Sequence, residues 1–215
     1  MAKPILAIVD YGSGNIRSVY RAIKSQTDAF DVRITDSPEI LEQAQRIILP
    51  GQSAIRDCMA GLTARNLIEP LKNALKNKPC LAICIGPQAL LTYSDENDGV
   101  ETIGHFAGTA QHFNKLISPE IIKTEQIKIP HIGWNQVTQK PHALWAGIPQ
   151  QSYFYFVHSY YLSPASTDII VGTTKLGVEF ASVIAQDNVF GAQFHPEKSD
   201  QVGLKLLKNF TLWQP

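Results

Sequence analysis

Three short stretches of the chain are apolar without interruption: Ile5-Leu6-Ala7-Ile8-Val9, Ile47-Ile48-Leu49 behind Arg46, and Cys80-Leu81-Ala82-Ile83-Cys84 behind Pro79. A strand covered on one face alternates apolar and polar residues, whereas one covered on both faces does not. Each stretch therefore predicts a buried parallel strand. Val32 and Ile34 mark a short strand between the first two, closed by Thr35-Asp36-Ser37-Pro38. Helical spacing fills residues 16–25 and 40–45. Residues 55–76 read as largely helical, with Gly61 and Pro70 as interruptions. Alternating strands and helices imply a parallel sheet covered on both faces, joined by right-handed crossovers.

The texture changes after the polar, turn-rich residues 94–99. Short alternating runs, His105-Phe106-Ala107-Gly108 and Glu125-Gln126-Ile127-Lys128-Ile129, predict antiparallel strands added to the parallel core. Pro130-His131-Ile132-Gly133-Trp134-Asn135 reads as a turn. Residues 153–161 form an aromatic strand, with Tyr153, Tyr155 and Val157 on one face and Phe154, Phe156 and His158 on the other. Strands at 169–173 and 182–185, a tight Asp187-Asn188 turn, a strand at 189–195 and a closing helix at 200–212 complete the chain. Val202, Leu206 and Phe210 share one face of that helix. The predicted class is α/β: an open, mostly parallel, flavodoxin-like sheet flanked by helices with added antiparallel strands, as one domain over residues 1–215.

Composition narrows the options. Lys plus Arg and Asp plus Glu number 19 each, so no global field draws nucleic acid or a membrane surface. No stretch reaches the ~20 apolar residues of a membrane span. The N-terminus lacks the pattern of a secretory signal. Three cysteines in one half of the chain argue against a disulfide framework and for a reducing, cytoplasmic setting.

Candidate chemistry starts where the third apolar run ends. Cys84 is followed by Ile85-Gly86-Pro87-Gln88, and a helical pattern begins at Gln88. A cysteine at a tight strand-to-helix turn, with small residues (Ala82 and Gly86) two positions away on either side, suits a nucleophile. Unpaired N–H groups at a helix start also favour a thiolate. The plainer reading is a small buried hydrophobe. Near the other end stands Gly191-Ala192-Gln193-Phe194-His195-Pro196-Glu197-Lys198. Pro196 keeps His195 extended, so His195 and Glu197 point to one side, as a base and its orienting carboxylate. A surface His–Glu pair or part of a metal site are the other readings, although no further ligands declare themselves. His105, His112 and Cys58 read as structural or exposed.

Together these stretches resemble the class I (triad) glutamine amidotransferases. Cys84 matches the family nucleophile, His195 its base and Glu197 the orienter. Within the family the chain is similar to the glutaminase subunits of imidazole glycerol phosphate synthases. The motifs Asp10-Tyr11-Gly12-Ser13-Gly14-Asn15, Pro130-His131-Ile132-Gly133-Trp134-Asn135 and Tyr155-Phe156-Val157-His158-Ser159-Tyr160 carry this similarity. The resemblance implies an oxyanion hole from the amides of Gly51, Gln52 and Ile85, and glutamine binding by Gln88, His158, Ser159 and Tyr160. It implies a face for the synthase/cyclase subunit of a heterodimer at Asn15, Trp134, Asn135, Tyr155 and Lys198, with Arg17 a further candidate. It calls for no metal or organic cofactor, no nucleic acid and no membrane. Pro50-Gly51-Gln52-Ser53 stands where that branch commonly has Pro-Gly-Val-Gly, and Ser53 is expected to restrict backbone rotation. Ala82 and Pro87 replace a usual Gly and Met.

Other readings stay open at this point. A related subunit could donate ammonia for surface-sugar amination, and a non-catalytic regulatory subunit could carry a decayed site. Gly12-Ser13-Gly14 with Asp36 beyond it suggests dinucleotide binding, although Arg17 occupies the third glycine position of that fingerprint.

Overall fold

The fold is described from a computed structural model, over residues 2–12 and 15–215. Ser13 and Gly14 of the Gly12-Ser13-Gly14 motif lie outside the described residues.

The first half alternates as the apolar runs require: β1 (Ile5–Val9), α1 (Ile16–Lys24), β2 (Asp31–Thr35), α2 (Pro38–Gln43), β3 (Arg46–Leu49), α3 (Ile55–Ala64), α4 (Ile68–Ala74), β4 (Cys80–Ile83) and α5 (Ile85–Leu90). The second half is strand-rich: β5 (Tyr93–Ser94), β6 (Val100–Glu101), β7 (Gly108–His112), α6 (Pro119–Thr124), β8 (His131–Gln136), β9 (Thr138–Gln139), β10 (Tyr153–His158), β11 (Tyr160–Pro164), β12 (Ile170–Leu176), β13 (Val178–Gln186), β14 (Val189–Ala192) and α7 (Asp200–Leu212).

The main sheet runs β2-β1-β3-β4-β14-β13-β11-β7-β5-β6, and β12 pairs with β13 and with β9. Strands β2, β1, β3, β4 and β14 are mutually parallel, so one end of this block gathers five carboxyl ends. From β14 outward the pairing turns mostly antiparallel. Strands β8 and β10 form a separate two-stranded ribbon.

Burial on both faces explains the continuous apolar runs. Leu6, Ile8, Ile48, Leu81 and Ile83 join Val19 and Ile23 of α1 and Leu206 and Phe210 of α7 in one cluster. Ala7, Val9, Ile47, Leu49 and Ala82 face the other way, toward Leu41, Ile55, Leu62 and Leu71 of α2 to α4. Successive residues thus feed opposite layers, so a polar residue within these runs would face a core.

Several local expectations are corrected. The helical region at 55–76 breaks at Asn66, whose φ is 55°, not at Gly61 or Pro70. Pro70 sits in the first turn of α4, where a missing N–H leaves no intrahelical bond unmade. Helix α5 begins at Ile85 instead of Gln88. The strand in the 104–129 region is β7, while residues 119–124 form a helix capped by the Ser118 side chain accepting from Ile121 N. Residues 131–136 are a strand, not a turn. The long aromatic strand divides at Ser159 into β10 and β11.

Candidate active site

Sheet register brings the two ends of the candidate site together. β4 and β14 are parallel neighbours, with Ala82 opposite Gly191 and Ile83 opposite Ala192. On the other flank, Leu49 of β3 lies opposite Ala82. Cys84, the loop after Leu49 and residues 193–195 therefore leave the sheet side by side at its carboxyl end, where open α/β sheets bind ligands.

Cys84 carries φ 56° and ψ −93° between β4 and α5. A non-glycine residue there costs about 1–3 kcal/mol of strain. Its N–H donates to the Ala192 carbonyl at 2.8 Å, so the sheet holds the backbone at the turn. Gly86 is needed because α5 presses onto β3, and a Cβ there would overlap the Leu49 carbonyl. Gly86→Ala is expected to cost about 1–3 kcal/mol in a urea or thermal melt, as overpacking does. Pro87 packs on Gly191, where a Cβ would stand 2.7 Å from the Pro87 Cβ.

Below the turn, Gln193 is fully buried. Its amide donates to the Cys84 carbonyl at 3.2 Å and approaches the Cys84 sulfur at 3.8 Å. Its oxygen accepts from Gln88 Nε2 at 3.1 Å. Gln193 was part of a motif, but its role could not be read from sequence.

His195 Nδ1 lies 2.9 Å from Glu197 Oε1, and both side chains are 1% exposed. Burial opposes a charge on His195, yet the Cys84 sulfur and the Glu197 carboxylate outweigh it and push the imidazole up to about 10. Asn15, expected on a partner face, donates from Nδ2 to Glu197 Oε1 at 3.3 Å. Ser199 donates to the His195 carbonyl at 2.6 Å and accepts from Tyr155 N at 3.0 Å, which ties the His195 turn to β10. Gln52 Nε2 stands 3.4 Å from His195 Nε2. The reading of His195 and Glu197 as part of a metal site finds no further ligands among the described residues.

A cleft of about 110 Å³ opens on Cys84, lined by Ser53, Ile85, Gln88, Glu96, Val157 and residues 158–160. Glu96 carried no sequence signal. Its Oε2 accepts from Ile55 N at 3.0 Å, and burial raises its carboxyl pKa against that bond. A second opening of about 400 Å³ leads from Cys84 past Gln52, Ser53 and His195 to Lys198. Gly51 is wedged so closely that a Cβ would overlap the Tyr11 hydroxyl and an Ile85 methyl.

Of the expected substrate residues, His158 lines the cleft, while both its ring nitrogens meet protein groups. Its Nδ1 meets the Tyr160 carbonyl at 2.7 Å and its Nε2 meets His131 Nδ1 at 3.0 Å. Burial pushes His158 down to about 3, and His131 and His142 to about 4. These lowered groups stabilise the fold fully above pH 6.5, their ordinary value, and that stability is lost as pH falls toward 4. Each proton bound only by the unfolded chain costs about 1.4 kcal/mol per pH unit. The urea midpoint should therefore drop steeply between neutral pH and pH 4; a flat profile would contradict the buried neutral rings.

On the ribbon, Trp134 is 51% exposed, with Ile132 at 60% and Tyr153 at 54% beside it. Tyr155 packs edge-on to Trp134 with ring centroids 5.9 Å apart, and Lys198 Nζ lies 5.9 Å from the Tyr155 ring. Among the described residues, no helix is long and apolar enough to cross a membrane.

The chain is similar to known proteins over its whole length. The family described as glutamine amidotransferase class-I matches residues 7–213. The chain is 46% identical over 217 residues to an imidazole glycerol phosphate synthase subunit HisH from Dechloromonas aromatica, covering 100% of this chain and 99% of that one. A protein of the same description from Acinetobacter baylyi is 45% identical, covering 97% of this chain and 98% of its own. Among solved structures, PurLQS from Thermotoga maritima superposes with a TM-score of 0.71 at 18% identity, covering 98% of both chains. A crystal structure of a glutamine amidotransferase gives 0.70 at 13%, covering 95% of this chain and 98% of that one. These two share the fold. With the family match running from β1 to the end of α7, and the HisH relatives aligning end to end, the chain belongs to the class-I glutamine amidotransferases.

Proposed function

We propose that residues 1–215 act as one domain, the glutaminase subunit of an imidazole glycerol phosphate synthase. It hydrolyses glutamine to glutamate and ammonia. The ammonia passes to a synthase/cyclase subunit that converts PRFAR to imidazole glycerol phosphate and AICAR in histidine biosynthesis. The observation that carries the chemistry is Cys84 on a strained turn beside a buried His195–Glu197 pair 2.9 Å apart. The HisH relatives carry the pathway.

The Cys84 thiolate attacks the side-chain amide carbon of glutamine, forming a C–S bond. Negative charge moves to the amide oxygen, where the N–H of Ile85 and those of Gly51 and Gln52 receive it. Such donors act on charge present only as the reaction proceeds. Protonated His195, held by Glu197, gives its proton to the leaving nitrogen, and the C–N bond breaks to release ammonia. His195 then takes a proton from water as the water attacks the thioester, and glutamate leaves with Cys84 restored. The half-buried Glu96 carboxylate offers the substrate ammonium a partner, and the backbone of residues 158–160 faces its main-chain groups.

Free ammonia would be diluted in water, which favours a partner docked over the second opening. Lys198 stands in its rim, and Trp134, Ile132 and Tyr153 offer an apolar face on the nearby ribbon. Asn135, Tyr155 and Lys198 are assigned to that interface. Asn15, which contacts Glu197, links the same side to the triad. Three free cysteines suit a cytoplasmic location. The dinucleotide reading lacks the third glycine of its fingerprint, where Arg17 stands.

Glutamate release should be measured for the chain alone and with its cognate synthase subunit plus the ribonucleotide ligand. Turnover in the complex, with glutamine-dependent formation of imidazole glycerol phosphate, is expected. Glutaminase activity without that product would redirect the assignment to another ammonia acceptor.

A further inference from the structure

A line of polar side chains crosses the protein from the exposed ribbon to the wall of the cleft. Asn135 Nδ2 lies 3.2 Å from His131 Nε2 and donates to the Lys175 carbonyl at 2.9 Å. His131 Nδ1 lies 3.0 Å from His158 Nε2, and His158 Nδ1 lies 2.7 Å from the Tyr160 carbonyl. Its last acceptor fixes the direction of the whole line. A carbonyl only accepts, so His158 Nδ1 carries the proton and its Nε2 accepts. His131 Nδ1 must then donate, leaving His131 Nε2 to accept from Asn135. The Asn135 amide supplies both hydrogens required of it, while its oxygen accepts from Gln136 N at 2.8 Å. Every polar atom of both rings is satisfied, with one proton on each.

The line is dry. His131 stacks on Phe156 with centroids 4.8 Å apart, and Phe113 and Phe180 pack on His158 at 5.1 and 5.6 Å. Loss of the His131 donor would leave His158 Nε2 unpaired among these rings. A second proton on either ring would set two N–H groups against each other, which agrees with both rings being held neutral by burial.

We propose that His131 is a positioning residue: through His158 it holds residues 158–160 in the conformation that walls the glutamine cleft, with Asn135 on the ribbon setting its tautomer. His131 does not touch the reacting atoms. The inference rests on the glutaminase reading, because the cleft it shapes is the proposed glutamine site. Its effect falls on substrate binding more than on chemistry, since Ala192 of β14 holds the Cys84 backbone and Glu197 holds the His195 ring.

Two measurements test it. Nitrogen NMR of the wild-type imidazoles should find His131 and His158 both neutral and protonated at Nδ1 near neutral pH; Nε2 protonation or ordinary titration of either ring overturns the line. In the complex with the synthase subunit, His131→Phe keeps the ring packing and removes the donor. It should raise KM for glutamine about tenfold, with kcat within about threefold. His131→Asn places an amide nitrogen close to the Nδ1 position and should restore KM. An unchanged KM in His131→Phe, or equal impairment in both variants, overturns the positioning role. A wild-type complex without turnover would instead fail the glutaminase reading, and the NMR result would still decide the tautomers.

Discussion

Cys84→Ser should lower glutamine hydrolysis by about 10⁴-fold or more, while ammonia-dependent synthesis by the complex survives. A hydroxyl in place of the thiol changes little in size, and the turn is held by backbone contacts. The Cys84 N–H to Ala192 bond and the closeness of Gly86 to β3 do not depend on sulfur. The loss is therefore one of nucleophilicity. Glutamate release in steady-state assays measures it, and synthesis from added ammonium salts shows that the partner and the assembly remain intact. Retained glutamine turnover would remove Cys84 from the mechanism.

The second large effect is at Glu197. Glu197→Gln should reduce kcat by about 10²–10⁴-fold, the range typical of losing an oriented acid–base group. The amide can still occupy the space, yet it no longer favours a charged His195. Removing it lowers the imidazole pKa from its raised position, so the alkaline limb of the kcat profile should move to lower pH. Stability shifts with the same sign. A His raised from 6.5 to about 10 stabilises the fold fully below pH 6.5, and that contribution is lost as pH rises through 10. The wild-type advantage over Glu197→Gln in urea unfolding should therefore be greatest at and below neutral pH and fade toward pH 10. Equal pH profiles for the two proteins would show that Glu197 does not tune His195.

The parallel core was legible because its chemistry is extreme. Strands β1 and β3 and helix α7 begin and end where the sequence pattern places them, the strands because residues 6–9 and 47–49 are buried on both faces and read as unbroken apolar runs. The candidate site was legible for a related reason. A small-residue turn after a buried strand, and a His-Pro-Glu segment, are local patterns, and the sheet register then brings them together. The 104–136 region was harder. Helix α6 has six residues, too few to show a helical period. Strand β8 exposes Ile132 and Trp134, so its outward face is apolar and its alternation is hidden. Gln193, Glu96 and the His131–His158 pair act across sheet positions far apart in sequence. Nothing near Glu96 announces the Ile55 N–H that it meets. The break at Asn66 was missed because Asn tolerates the left-handed region as a single residue, which glycine and proline counting does not register.

The departures from the family's usual loop have a visible consequence. Gln52 brings a side-chain amide to within 3.4 Å of His195 Nε2, where valine would bring only methyl groups. Ser53 lines both openings at Cys84, so the loop borders the cleft and the route toward Lys198.

The central claim, that Cys84 is the nucleophile for glutamine, is tested most directly by peptide mapping after treatment with a glutamine-shaped electrophile. Burial pushes the thiols of Cys58 and Cys80 up to about 12, which leaves them protonated and enclosed at neutral pH. The account predicts one label per chain, on Cys84, prevented by excess glutamine and accompanied by loss of glutaminase activity. Labelling on Cys58 or Cys80 instead, or full activity with Cys84 modified, would contradict it.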